Sequence, residues 1–175
     1  NYKKQLLSIQ TKSDNIFLMN SYQELHDLCI AKSFSVATSE SCTAGLIASN
    51  IASISGASAF LKGGVIAYQN DIKINILGVS QSLLDESKEV SSEVVKQMAI
   101  GARNKFLADF AIATTGYAGP TGGTDLNPIG TVFIGISSFK KTVSKRFVFL
   151  GNRESVISQA VDEGLNFFVQ ELKSY

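Results

Sequence analysis

From Ser91 to Phe106 the residues Val95, Met98, Ala99, Ala102 and Phe106 recur at i, i+3, i+4, i+7 and i+11, which sets them on one face of a helix. Shortly after it, Phe110 to Thr114 forms a continuous apolar run of the kind found in strands buried on both faces. A strand covered on both sides needs a helical layer above and below it. The pair therefore commits the chain to an α/β architecture. Other segments agree. Ser21 with Glu24 reads as a capping box for a helix that buries Leu25, Leu28 and Cys29 and ends near Ser33. Phe34 to Thr38 reads as a short strand and Thr43 to Ile54 as a small-residue helix. After a turn at Gly56 to Ser58, a strand is expected from Phe60 to Gln69, with Gly63-Gly64 marking a bulge or close backbone packing. Asn70 is expected to cap a helix through Leu77 that Gly78 closes. A Gly-rich loop, 116–128, precedes hairpin strands Thr131 to Ser137 and Val143 to Leu150. A final helix from Arg153 aligns Ile157, Ala160, Val161, Leu165, Phe168 and Leu172. Strands that alternate with helices and end in a hairpin predict a single-domain three-layer α/β/α sandwich with a mixed sheet.

The 175 residues are enough for one domain with its own core, and 45% hydrophobic with 18% charged residues is ordinary for a compact protein. The domain is expected over residues 20–175. Residues 1–19 read as an N-terminal extension or linker remnant, in which Ile16-Phe17-Leu18-Met19 forms either a short strand or a linker anchor. The start, Asn1-Tyr2-Lys3-Lys4, has neither an initiator Met nor a signal-peptide pattern, so an upstream domain stays open. Sixteen basic residues face fifteen acidic ones with no basic stripe, which argues against a nucleic-acid partner. Lys140-Lys141 and Lys145-Arg146 read as a solvated hairpin. No apolar stretch approaches the roughly 20 residues that span a bilayer, so no membrane partner is expected. Cys29 and Cys42 form no CxxC or Cys/His ligand set, which points to a reduced, cytoplasmic protein without a structural metal.

In open α/β sheets ligands bind beyond the carboxyl ends of the strands. Three segments leave strands with suggestive residues: Glu40 to Gly45, Tyr68 to Lys73, and Thr114 to Gly123. Ser41 and Cys42 fall between a strand and a small-residue helix, whose first-turn N–H groups are expected to face an oxyanion or phosphate. Thr43, Ala44 and Gly45 are small enough for a ligand to approach the backbone. On spacing alone, a plain helix cap by Ser41 or Thr43 explains the same residues. A serine nucleophile needs a base. The chain has one histidine, His26, set beside Leu25 and Leu28 on the first helix, a poor place for a triad member. Lys73 is the alternative, given burial and a nearby cation such as Arg153 to lower its proton affinity. Arg153 is equally suited to hold a phosphate, and an exposed helix lysine is the ordinary reading of Lys73. Cys42 is a rival nucleophile at a helix start, or a small packed cysteine. The loop from Thr115 to Thr124 lacks the Gly-Lys-Ser/Thr end of a P-loop and the GxGxxG spacing, leaving a nest of backbone N–H groups or a simple connection.

Taken together, Ser39 to Gly45, Gly64 to Asn70, Lys73 with Leu77-Gly78-Val79, Val90-Ser91, Thr115 to Pro120, Pro128 to Val132 and Gly151-Asn152-Arg153 resemble the CinA C-terminal domain family, whose stand-alone members include nicotinamide mononucleotide deamidases. The match runs from about Ser21 to Leu172. The resemblance implies metal-free, cofactor-free hydrolysis of nicotinamide mononucleotide to nicotinic acid mononucleotide and ammonia, in pyridine nucleotide salvage. It implies Ser41 as nucleophile with Tyr68 and Lys73 as the proton-transfer pair. Glu40, Cys42, Thr43, Gly45, Asn70, Thr115, Gly116 and Arg153 are implied around the substrate, with backbone N–H groups at Cys42 and Thr43 or in the Thr115-Gly116 loop on the oxyanion. A homo-oligomer is expected, as is common in the family. The alternative is a non-catalytic nucleotide-binding or interaction domain tied to competence or DNA damage. The chain departs from the family pattern at Ala44, Gln69, Asp71-Ile72, Tyr117 and Asn152. Ala44 is expected to tighten the pocket, and Asn152 to change how Arg153 is held.

Overall fold

The computed structural model describes residues 21–175. The expectations for residues 1–19, including the strand at Ile16 to Met19, lie outside them. A helix over the described residues 21–32, α1, leads into β1 (Val36–Glu40), α2 (Leu46–Ala52), a 3-10 turn (Ala57–Ala59) and β2 (Leu61–Ile66). Helices α3 (Asn70–Leu77), α4 (Gln81–Ser87) and α5 (Ser92–Phe106) follow, then β3 (Phe110–Gly116), β4 (Thr131–Ser138), β5 (Thr142–Val148) and α6 (Arg153–Lys173). Ser21 is already helical, and its hydroxyl donates to Asn166 Oδ1 on α6 at 2.6 Å, which corrects the capping box. Helix α4 was not anticipated. Its signal was Ser80, whose side chain accepts from the Leu83 N–H as an N-cap ahead of Leu83-Leu84.

The five strands form one mixed sheet in the order β2-β1-β3-β4-β5, with β1 parallel to both neighbours and the last two pairings antiparallel. Chain direction explains where the helices go. The crossover from β1 to β2 runs one way across the sheet and carries α2, whereas the crossover from β2 to β3 runs the other way and carries α3 to α5. Right-handed crossovers in opposite directions land on opposite faces. One core accordingly gathers Leu25 and Cys29 of α1, Ile47 and Ile51 of α2, and Leu165 and Phe168 of α6. The other gathers Leu77 of α3 with Val94, Met98 and Ala102 of α5. Strand alternation divides the faces by size. Phe110 and Ile112 of β3 point to the first core, and Ala111 and Ala113 to the second. Small residues on that side let α5 lie close: a Cβ on Gly135 of β4 would sit 2.8 Å from the Val95 carbonyl oxygen of α5.

The expected irregularity at Gly63-Gly64 is present. The β1–β2 register shifts between Val36 and Ala37, and a Cβ on Gly64 would meet Thr38 Oγ1 at 2.1 Å. Helix α3 begins at Asn70 with Gln69 in the cap position, so Asn70 is the first helical residue rather than the cap. Gly78 closes it in the left-handed region, φ 73°.

The largest difference from expectation lies after β1. Helix α2 starts at Leu46, not Thr43, because Ala44 (φ 51°) and Gly45 (φ 96°) are left-handed and cannot belong to it. A buried carboxylate imposes this turn. Glu40, 1% exposed, accepts from Thr43 Oγ1 (2.7 Å) and the Gly45 and Ile47 amides (3.0 Å each) on one oxygen, and from the Ala48 amide (2.8 Å) on the other. The start of α2 is thus already capped by an anion from within the chain. Ala44 itself is exposed and does not line the cleft that holds Ser41.

Two stability effects are expected. Glu40→Gln keeps the size but sets an amide NH2 against a backbone donor, and urea unfolding should register a loss of about 2–3 kcal/mol. Ala44→Gly relieves a left-handed alanine and should raise stability by about 0.5–1 kcal/mol in the same measurement.

Candidate active site

Because β2 and β3 flank β1 on opposite sides, their crossovers part at the carboxyl end of β1 and leave a crevice there. The cleft at that point encloses about 280 Å³, and its lining includes Ser41, Cys42, Tyr68, Asn70, Lys73, Glu89, Thr115, Gly116, Tyr117 and Arg153. Eight residues singled out in the sequence therefore meet: Ser41, Cys42, Tyr68, Asn70, Lys73, Thr115, Gly116 and Arg153. Three others do not. Glu40 lies beneath the floor, engaged with α2. Thr43 is fully buried between Glu40 and Thr114, 2.7 Å from each. Gly45 donates its amide to Glu40 and packs beside Ile66. These three build the site without lining it.

The Ser41 turn joins directly to the sheet. The Ser41 amide donates to the Thr114 carbonyl at 3.0 Å, and the Ala44 amide to the Ser41 carbonyl at 3.2 Å. Among the described residues, the amides of Cys42 and Thr43 donate to no other residue, which leaves two adjacent N–H groups beside Ser41. Cys42 is buried, and burial pushes its thiol up to about 12, with the Glu40 charge adding to the effect; the Thr114 hydroxyl and Arg153 only partly oppose it. A thiol that holds its proton this firmly is a poor nucleophile at neutral pH. The helix-start thiolate considered from the sequence is disfavoured first by burial, and then by the Glu40 charge at the start of α2.

Lys73 is 1% exposed, the largest fully buried side chain of the domain. Its Nζ donates to the Tyr68 carbonyl (3.3 Å) and to Asn70 Oδ1 (3.1 Å). Both acceptors are neutral. Burial lowers the proton affinity of the amine, while Glu89 and Cys42 act in the opposite sense. The expected help from a nearby cation is absent from this balance; desolvation does the lowering. Arg153 is committed elsewhere. It donates from Nη2 to the Tyr68 hydroxyl (2.9 Å) and from Nη1 to the Gly119 carbonyl (2.8 Å). Tyr68 therefore meets Lys73 through its carbonyl and Arg153 through its hydroxyl. Asn152 caps α6 by accepting from the Ser155 amide at 2.9 Å. Asparagine and aspartate cap a helix about equally well, so Arg153 remains aimed at the cleft. His26 is remote from the cleft: it pairs with Asp27 at 3.1 Å and stands edge-on to Phe60 with ring centroids 5.6 Å apart.

Glu89 was missed. It precedes α5, and its carbonyl accepts from Thr115 Oγ1 at 2.7 Å while its carboxylate accepts from the Tyr117 hydroxyl at 3.3 Å. Recognising α4 was the available signal, since two capped helices in succession place 88–90 in a loop at the carboxyl edge of the sheet.

Residues 19–172 match the family model described as the CinA C-terminal domain. The chain is 41% identical over 152 residues to a CinA-like protein of Flavobacterium psychrophilum, covering 86% of this chain and 36% of that protein. It is 45% identical over 123 residues to a CinA-like protein of Geotalea uraniireducens, covering 70% and 29%. The chain thus spans about a third of the length of these curated relatives. The crystal structure of competence damage-inducible protein A from Klebsiella pneumoniae superposes with a TM-score of 0.87 at 33% identity, covering 90% of this chain and 98% of that one. A CinA superfamily protein from Escherichia coli gives 0.84 at 34% identity, covering 87% and 89%. Sequence match and shared sheet topology agree: the chain belongs to the CinA C-terminal domain family.

Proposed function

We propose that the chain is a serine amidohydrolase that converts nicotinamide mononucleotide to nicotinic acid mononucleotide and ammonia, in pyridine nucleotide salvage. The observation that carries this reading is a fully buried lysine, held only by neutral oxygens, in one cleft with a serine and without a histidine. A buried amine with lowered proton affinity is suited to act as a general base near neutrality, and burying a lysine for packing alone is unfavourable.

In this mechanism Lys73 removes the Ser41 proton as Ser41 Oγ attacks the carboxamide carbon. The oxyanion is held by the Cys42 and Thr43 amides. The protonated Lys73 then gives its proton to the departing nitrogen, which leaves as ammonia. Water, deprotonated by Lys73, attacks the acyl-serine and returns Ser41 and the acid product. Tyr68 and Arg153 act as a unit: the Tyr68 hydroxyl and the Gly119 carbonyl accept from the guanidinium, whose remaining donors bind the nucleotide phosphate in this reading.

Ammonia release from nicotinamide mononucleotide tests the proposal. Ser41→Ala is expected to lose roughly 1000-fold or more in kcat/KM, whereas Cys42→Ala stays within about tenfold. Equal ammonia release by wild type and Ser41→Ala would leave the non-catalytic reading. Iodoacetamide should modify Cys42 only slowly at pH 8 in the folded protein, because a thiol near 12 supplies almost no thiolate there.

The base makes a separate prediction. The free amine is the active form, so kcat/KM should rise with pH along a limb lying below the ordinary lysine value of about 10.4. Lys73→Arg keeps the charge but cannot lose its proton, and should abolish that limb together with the activity.

A further inference from the structure

Among the residues lining the cleft, Glu89 is the only carboxylate. Among the described residues its carboxylate accepts one hydrogen bond, from the Tyr117 hydroxyl at 3.3 Å, which leaves most of its acceptor capacity unused, and its charge is felt by Lys73 across the cleft. Among the described residues it forms no salt bridge. The two cations of the cleft are bound to neutral oxygens instead, Lys73 to the Tyr68 carbonyl and Asn70, and Arg153 to the Tyr68 hydroxyl and Gly119. When Lys73 serves as a neutral base, Glu89 has no cationic neighbour left in its wall. Tyr117 stands next to it, half-buried, with Gly122 packed so close that a Cβ there would lie 3.1 Å from the ring. A partly desolvated carboxylate beside a held aromatic ring is a receptor for an organic cation. Arg153 belongs to the α6 layer and Glu89 to the approach to α5, so the anion and the cation of the site enter from opposite faces of the sheet.

We propose that Glu89 and Tyr117 recognise the positive charge of the substrate's ring, so that the cleft selects an amide borne on a cationic heteroaromatic ring over the same amide on a neutral one. The ligand named here rests on the amidase reading of this cleft. A pyridinium nucleotide carries its cation on the ring and its anion on the phosphate, matching Glu89 on one wall and Arg153 on the other. Hydrolysis turns the neutral carboxamide into a carboxylate, which Glu89 repels, favouring release of the product.

Nicotinamide mononucleotide and its 1,4-dihydro form provide the test, since they share amide, ribose and phosphate and differ in ring charge. Both are titrated calorimetrically into Ser41→Ala, which prevents turnover, and into Ser41→Ala carrying Glu89→Gln or Tyr117→Leu. The oxidised nucleotide should bind Ser41→Ala about tenfold or more tightly than the dihydro form. Glu89→Gln should bring that ratio to within about twofold, mainly by weakening the oxidised ligand, and Tyr117→Leu should reduce it. Loss of Glu89 lowers the proton affinity of Lys73 further, and less charge there favours the cationic ligand, so a collapse of the ratio in Glu89→Gln does not arise through Lys73. Equal affinities in Ser41→Ala, a ratio that survives Glu89→Gln, or binding of neither ligand would overturn the proposal. Charge-selective binding together with absence of ammonia release by wild type would instead remove the amidase reading and leave the recognition intact.

Discussion

The Glu40 carboxylate, at the last residue of β1, accepts four hydrogen bonds from the turn and helix that follow it, and the geometry of the cleft depends on this contact. A buried carboxylate without partners would be strongly destabilising, so the chain after Glu40 must fold back to supply donors. It does so through left-handed Ala44 and Gly45, which bring the Gly45, Ile47 and Ala48 amides round to one point. Ser41 is thereby brought to the top of the sheet with Cys42 buried beside it, and among the described residues the Cys42 and Thr43 amides donate to no other residue. The hydroxyls of Thr43 and Thr114 extend the network across to β3, the strand that also accepts the Ser41 amide. The Ser41 turn is thus fastened to both central strands.

Two consequences follow for the chemistry. Burial keeps the proton on Cys42, and the Glu40 carboxylate at the start of α2 adds to the effect, so the thiol is a poor nucleophile at neutral pH. An anion at that position also leaves any further negative charge in the cleft to a side chain, and Arg153, held by the Tyr68 hydroxyl and the Gly119 carbonyl, is the cation there besides Lys73. The rest of the site comes from the opposite layer. Helix α5 lies close against β3 and β4 because Ala111, Ala113 and Gly135 offer little bulk, and α3 is drawn in with it through Gly101. That packing takes Lys73 out of solvent, which adjusts its basicity.

Much of the fold was legible because one period dominated each segment. The apolar face of α5, the unbroken β3 and the long face of α6 each declare their geometry without reference to anything distant. Gly63-Gly64 likewise announced the bulge, since Thr38 leaves no room for a Cβ at Gly64. The misreadings have a common cause. Thr43 to Gly45 have the small side chains that suit a helix start, yet a carboxylate three to five residues earlier captured the turn. Ser21 resembles a cap in a local window, but its hydroxyl is bonded to Asn166 near the other end of the chain. Glu89 carried no local mark of a site, because its position depends on a helix, α4, that is too short to show a clear period.

By itself, the order of periodic segments determined the layered α/β fold and the mixed sheet, because alternation of buried strands with amphipathic helices has few packed solutions. It also determined which side chains were available, above all a serine and lysines with a single, badly placed histidine. Which of them act together was decided only by the tertiary structure. Burial and hydrogen bonding at a distance sent Glu40, Thr43 and Gly45 beneath the floor, removed Lys73 from water, joined Tyr68 to Arg153, and set Glu89 against Tyr117. Local spacing says where a side chain leaves the backbone. Its chemistry depends on the solvent it loses and the partners it meets, and those come from parts of the chain far away in sequence.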